Sequence, residues 1–191
     1  MITRTTNKPV GKKDFVDIAA ISKAEIERLL TAAAQLKDKQ RRGIPHPLLS
    51  GKTLGLLFQK PSTRTRVSFE AGMNQLGGHA LVLPMGEIQL SRGESIADTA
   101  RVLSRYLDAI VIRTYDHAIV EEWAREATMP VINGLTDLSH PCQALSDLMT
   151  IKEKKGRLKG LKLAYIGDGN NVANSLIEAA AKVGMHIALG C

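Results

Sequence analysis

The segment Phe58-Gln59-Lys60-Pro61-Ser62-Thr63-Arg64-Thr65-Arg66-Val67-Ser68-Phe69-Glu70 gathers hydroxyls and guanidinium groups where a buried strand passes into a helix. Ser62 is a favourable N-cap residue. The first turn of a helix leaves backbone N–H groups unpaired, and the helix dipole adds partial positive charge at the same end. Phosphate binds at such ends. The hydroxyls of Ser62, Thr63 and Thr65 add donors, and Arg64 can set its guanidinium on phosphate oxygens through charge-assisted hydrogen bonds. A capped helix with surface arginines is the competing reading. Arg66 and Glu70 stand four residues apart and can simply pair.

Three further positions carry candidate chemistry. Arg113 ends a strand-like run, Asp108 to Arg113, and ligand sites in open α/β sheets lie at the carboxyl ends of strands. Its bland partner is the nearby Asp116. His140-Pro141-Cys142-Gln143 opens a helix. A lone histidine is more often structural, but His140 can donate to an oxygen that gains negative charge. The Gln143 amide can donate and accept at once. Gly167-Asp168-Gly169-Asn170-Asn171 reads as a tight strand-to-helix turn, and it does not complete the G-x-G-x-x-G pattern of a dinucleotide site. Gln89, in the polar loop Met85 to Glu94, reads by itself as an exposed loop residue.

The long pattern Phe-x-x-Pro-Ser-Thr-Arg-Thr-Arg-x-Ser-Phe-Glu resembles the carbamoyl-phosphate signature of the aspartate and ornithine carbamoyltransferases. The resemblance extends from about Asp14 to Cys191. His-Pro-x-Gln belongs to the same family, and Cys142 at its third position is frequent on the ornithine side, where aspartate enzymes usually carry threonine. The turn Gly167-Asp168-Gly169-Asn170-Asn171 also resembles the ornithine side.

The resemblance implies transfer of a carbamoyl group from carbamoyl phosphate to the δ-amine of L-ornithine, giving L-citrulline and phosphate. It implies that Ser62, Thr63, Arg64 and Thr65 hold the phosphate, with Arg66 structural. Arg113 would bond both phosphate and the carbonyl oxygen. His140 and Gln143 would serve the carbamoyl group, and Asn171 the amino-acid end of ornithine. Arg64, Arg113 and His140 are the expected catalytic residues. Gln89 would reach a neighbouring subunit's site, so a ring of subunits, in this family a trimer, is expected. Neither a metal nor an organic cofactor is implied. Asp168 and Asn170 are expected to form the turn, and Cys142 to be a small packing residue. A related transferase using another amine, such as aspartate, and a chain that binds carbamoyl phosphate without turnover are the alternatives.

The elements that must position these residues alternate along the chain. Ser22-Lys23-Ala24-Glu25 is a capping box, opening a helix that closes near Gly43. Gly51 to Phe58 is a strand, and the helix from Ser62 ends at Gly77-Gly78. Strands at His79 to Pro84, Asp108 to Arg113 and Pro130 to Asn133 alternate with helices from Ser95, from Asp116 to Ala127, and from about His140 to Lys155. This order predicts an α/β fold, a parallel sheet with helices on both faces. After the charged stretch past Thr150 the pattern restarts: a strand at Leu161 to Ile166, a helix from about Asn171 to Val183, and a strand from Met185. The expected organisation is a carbamoyl-phosphate-binding domain over residues 1–150 and, over 151–191, the first βαβ unit of a second, Rossmann-like, ornithine-binding domain. A single βαβ unit does not make an independent sheet, and Cys191 falls in mid-strand, so the sequence is expected to be C-terminally partial.

Composition narrows the class. At 44% hydrophobic and 24% charged residues, the chain is ordinary for a globular protein. No apolar run approaches the ~20 residues of a membrane span, and Met1 to Thr6 lacks the apolar stretch of a secretory leader. A cytoplasmic location is expected. Two cysteines are too few for a disulfide framework and show no metal-ligand spacing. The net charge of +7 invites a nucleic-acid reading, but the dense basic run Lys152 to Lys159 lacks the interleaved aromatics that stack bases. A positive field also favours a small anionic substrate.

Overall fold

The structure, a computed structural model, describes residues 12–191; the reading of Met1 to Thr6 lies outside them. The chain forms two compact units. One comprises Pro47–Ile132 with the described residues up to Val16; the other comprises Asp17–His46 and Asn133–Cys191.

In the first unit, the strands β1 (Thr53–Phe58), β2 (His79–Pro84) and β3 (Ala109–Arg113) are followed by β4 (Val131–Leu135), which crosses into the second unit. The sheet order is β2-β1-β3-β4. β1 runs parallel to both neighbours, with Leu57 opposite Leu83 and Ile112, and Phe58 opposite Arg113. Parallel strands need crossovers, and the helices α2 (Thr63–Gln75), α3 (Ile96–Leu103) and α4 (His117–Glu126) lie in those connections. Successive side chains of a strand point to opposite faces. Leu57, Ile110 and Ile112 accordingly join a core with Ala100 of α3 and Val120 and Trp123 of α4. Leu54, Leu56 and Val111 pack on the other face with Met73 and Phe69 of α2. Helices therefore cover both faces of the sheet, as the alternating pattern predicts. Trp123 is fully buried, and its truncation to alanine costs about 3–5 kcal/mol in such a core.

The local signals act as the sequence predicts. Ser22 forms a reciprocal capping box with Glu25 at the start of α1 (Lys23–Arg41). Ser95 accepts from the Asp98 N–H and caps α3. α2 ends before Gly77, whose φ of 76° is the left-handed conformation that glycine tolerates. One segment differs from the loop reading. Met85–Glu87 and Gln89–Arg92 are short 3₁₀ turns, because Met85, Ile88 and Leu90 fold back onto the core beside Leu83.

The second unit contains α1, α5 (Pro141–Lys155), β5 (Lys162–Ile166), α6 (Asn171–Val183) and β6 (His186–Gly190). β5 and β6 pair in parallel as a two-stranded sheet. Cys191 directly follows β6 rather than falling within it. α6 buries Ala173, Leu176, Ala179, Ala180 and Val183. Ile166, at the end of β5, is 90% exposed. Among the described residues no helix is long and apolar enough to cross a membrane.

Candidate active site

The first unit brings a helix N-terminus and a strand-end arginine to one corner. Ser62 adopts extended backbone, and its Oγ accepts from the Thr65 N–H at 3.3 Å, capping α2. This satisfies one of the orphan amides and leaves those of Thr63 and Arg64 at the positive end of the helix. No acidic residue lies in that first turn. β1 delivers this helix start, and the adjacent β3 delivers Arg113, because Phe58 and Arg113 are opposite each other at the ends of their strands. Arg113 Nη1 donates to Thr65 Oγ1 at 3.4 Å.

The electrostatics of Arg113 matter most. It is half-buried, and burial depresses its pKa, yet a guanidinium stays charged. Its Nε is buried without a hydrogen-bond partner. Asp116, the acid that could have neutralised it, instead accepts from the Ala118 N–H and caps α4. Among the described residues, a cation and a helix N-terminus thus converge with no acid paired to Arg113. A groove of about 550 Å³, lined in part by Ser62, Thr63 and Arg66, opens beside the helix start.

Arg64 is exposed and carries no ion pair among the described residues. Arg66 is engaged: its Nε donates to Glu70 Oε1 at 2.9 Å. Gln89 is exposed on its 3₁₀ turn and is not a partner in the hydrogen bonds that join Ser62, Thr65 and Arg113. Thr114, outside the motif, and Gln59, at one of its unspecified positions, add further bonds at this corner. The Thr114 hydroxyl, fully buried, donates to Gln59 Oε1 at 2.5 Å. The Gln59 N–H donates to the Arg113 carbonyl at 2.9 Å.

The second unit carries His140, Gln143 and Asn171. His140 is the N-cap of α5, followed by Pro141 in the first turn, a position where the missing N–H costs nothing. The His140 N–H donates to Ser175 Oγ of α6 at 2.9 Å. Asn171 Nδ2 donates to the Thr136 carbonyl at 2.5 Å, and Asn174 Nδ2 to the Leu138 carbonyl at 2.9 Å. One helix face therefore holds the loop that leads into His140 at three points. Asn171 gives one of its two amide N–H groups to this loop, and its Oδ1 lies at the other end of the amide. Gln143 likewise donates one N–H of Nε2 to Asp147 Oδ1 at 2.9 Å, which turns Oε1 to the other side of the amide. Burial raises the Asp147 pKa, against the lowering effect of that bond.

Cys142 donates to the Asn133 carbonyl at 3.4 Å, and burial pushes its thiol up to about 12. Such a thiol is not a nucleophile at neutral pH. Asn170 caps α6, accepting from the Val172 and Ala173 N–H groups. Ser175 and Asn174 lie outside every motif that the sequence offers. A serine on the apolar stripe of α6, beside Ala173 and Leu176, is the available signal.

Comparison with known proteins assigns the class. Residues 13–153 match the aspartate/ornithine carbamoyltransferase carbamoyl-P binding domain, and residues 159–191 match the Asp/Orn binding domain of the same family. The chain belongs to the aspartate/ornithine carbamoyltransferase family. It is 66% identical over 177 residues to a protein of Anoxybacillus flavithermus named ornithine carbamoyltransferase, covering 93% of this chain and 56% of that relative. The solved ornithine carbamoyltransferase of Pyrococcus furiosus superposes with a TM-score of 0.89 at 58% identity, over 93% of this chain and 57% of that one. An aspartate transcarbamoylase of Trypanosoma cruzi, solved with carbamoyl phosphate and aspartate, reaches a TM-score of 0.86 at 30% identity, over 95% and 58%. The chain thus spans a little over half the length of the relatives it matches.

Proposed function

We propose that this chain carries the carbamoyl phosphate site of an ornithine carbamoyltransferase, which transfers the carbamoyl group to the δ-amine of L-ornithine and releases L-citrulline and phosphate. The observation that carries the reading is the half-buried, unneutralised Arg113 donating to Thr65 Oγ1 at the amino end of α2. The higher identity to ornithine than to aspartate enzymes supports the choice of amine. The break between the two family matches supports a carbamoyl-phosphate-binding domain over residues 1–150 and the start of an ornithine-binding domain over 151–191.

In this reading Ser62, Thr63, Arg64 and Thr65 grip the phosphate with backbone and side-chain donors. The neutral amine attacks the carbonyl carbon, and negative charge moves to the carbonyl oxygen. Arg113, Thr65 and His140 stabilise that charge. Gln143 Oε1 accepts from the carbamoyl NH2, and Asn171 Oδ1 accepts from the amino-acid end of ornithine. The bond from the carbonyl carbon to the phosphate oxygen then breaks, phosphate leaves with the electron pair, and the nitrogen loses its proton. Arg64 and the helix end stabilise the departing charge. Catalysis is orientation plus fixed dipoles. Gln89 serves the site of a neighbouring copy in a trimer, and the enzyme works in the cytoplasm.

Calorimetric titration with carbamoyl phosphate tests the binding step, and saturable binding is expected. Parallel assays of citrulline and carbamoyl-aspartate formation test the amine. Carbamoyl-aspartate as the product would replace the ornithine assignment, and absence of carbamoyl phosphate binding would remove the proposal altogether. Binding without turnover would restrict the chain to holding the first substrate.

A further inference from the structure

We infer that Thr114 and Gln59 are positioning residues that hold the two halves of the phosphate corner in register; the inference rests on the reading of that corner as the carbamoyl phosphate site. Strand pairing between β1 and β3 stops at Phe58 and Arg113. Beyond it the backbone is joined by the Gln59 N–H to the Arg113 carbonyl at 2.9 Å, and by a long contact from the Lys60 N–H to the same oxygen at 3.5 Å. The chain then runs through Pro61, which has no N–H to give, to the cap at Ser62. The direct link between the two donor sets, Arg113 Nη1 to Thr65 Oγ1, is 3.4 Å long. A bond of that length is weak, and a phosphate entering the corner competes for both of its groups.

The Thr114–Gln59 bond is a side-chain tie beside that backbone link. Thr114 is 0% exposed and directly follows Arg113; Gln59 directly follows β1; the two are 55 residues apart in sequence. A hydroxyl at 0% exposure has no water to turn to, so its single donor is committed to Gln59 Oε1. Gln59 itself is exposed, and its bond to Thr114 is not forced by burial of the glutamine. The tie therefore fixes the β1–α2 loop to the residue after Arg113, and with it the distance between the guanidinium and the amides of the helix start. Neither side chain need touch the ligand. Binding to preformed geometry loses affinity when that geometry loosens, because the ligand must then order the loop itself.

The test uses the whole chain and carbamoyl phosphate as the probe, read by calorimetry. Thr114→Val keeps the volume and removes the donor; it is expected to weaken binding about tenfold. Gln59→Met is expected to do the same, and the double variant to be no weaker than either single one. Thr114→Ser, which keeps the hydroxyl, is expected to restore affinity. A residue that merely stabilised the fold would lower the denaturation midpoint and leave affinity and this non-additivity untouched. Affinity within about twofold of the unaltered chain in both single variants, or simple additivity in the double one, overturns the inference. Should Thr114→Val fail to fold, Gln59→Met, at an exposed position, decides the matter alone. Loss of all binding in the unaltered chain would instead strike the proposed function, and the positioning role with it.

Discussion

The two candidate regions use their polar groups in opposite ways. Around Ser62 and Arg113 the donors stay open: helix amides, Arg64, and a half-buried guanidinium whose Nε has no partner. Beside His140, three side chains of α6 are spent internally, Asn171, Asn174 and Ser175 each bonding to the backbone of the loop from Thr136 to His140. The first arrangement stores unsatisfied charge for a ligand to complete. The second fixes a backbone so that a residue at its end stands ready. Open donors cost stability and gain binding; closed ones do the reverse.

The sharpest way to break this contrast is to remove an open donor. Arg64→Ala is expected to weaken carbamoyl phosphate binding by about 100-fold or more, in line with charge-assisted bonds to an anion in a partly screened corner. Arg113→Met is expected to lose binding comparably while leaving unfolding stability unchanged or raised by up to about 1 kcal/mol, because a poorly compensated charge disappears. Titration and chemical denaturation of the same samples give both numbers. A variant of Arg113 that binds normally and unfolds early would make the guanidinium a structural group and erase the distinction.

Most of the scaffold is legible because its boundaries carry their own chemistry. Ser22, Ser62, Ser95, Asp116 and Asn170 each cap the helix that follows, and caps are local bonds that sequence spacing reveals. The sequence places β4 over Pro130 to Asn133, which stops it too early; the strand runs to Leu135, because the buried sheet overrides the breaking tendency of Asn133-Gly134. The 3₁₀ turns after Met85 have an apolar spacing that belongs to neither strand nor helix, and only their packing on the core explains them. Within the site, the phosphate corner announces itself through residue type. The bonds that brace it do not, since Thr114 meets Gln59 across 55 residues and Ser175 meets His140 across 35. Such pairs follow from topology, which the motifs alone do not encode.

The second region can be probed by removing a closed bond. Ser175→Ala takes the acceptor from the His140 N–H and the partner from the Ser139 hydroxyl, with which Ser175 Oγ also bonds at 3.2 Å. A buried group left unsatisfied costs about 1–3 kcal/mol, so the denaturation midpoint is expected to fall by a corresponding amount. Inorganic phosphate, which needs only the open corner, is expected to bind within about twofold of normal. A large loss of phosphate affinity here would show that the two regions are not separable in the way their hydrogen bonds suggest.

The smallest effect concerns Asp147, the partner of Gln143. Burial raises its pKa in the folded chain above the ordinary carboxylate value, and the Gln143 bond only partly offsets this. The folded state therefore holds the proton more tightly than the unfolded one. The sign follows: stability is highest below the unfolded pKa of ~3.9, declines as pH rises through the interval up to the raised folded pKa, and stays lowered beyond it. Asp147→Asn removes that segment of the pH dependence and is expected to raise neutral-pH stability by about 0.5 kcal/mol, a solvent-screened figure for a group that is only partly buried. The same change has a second consequence, because an asparagine side chain can accept from or donate to the Gln143 amide, whereas a carboxylate only accepts. Amide orientation at Gln143 should then become mixed in nuclear magnetic resonance spectra of the variant, against a single orientation in the unaltered chain. A single orientation retained in the variant would mean that the helix, and not the carboxylate, decides which end of Gln143 faces outward.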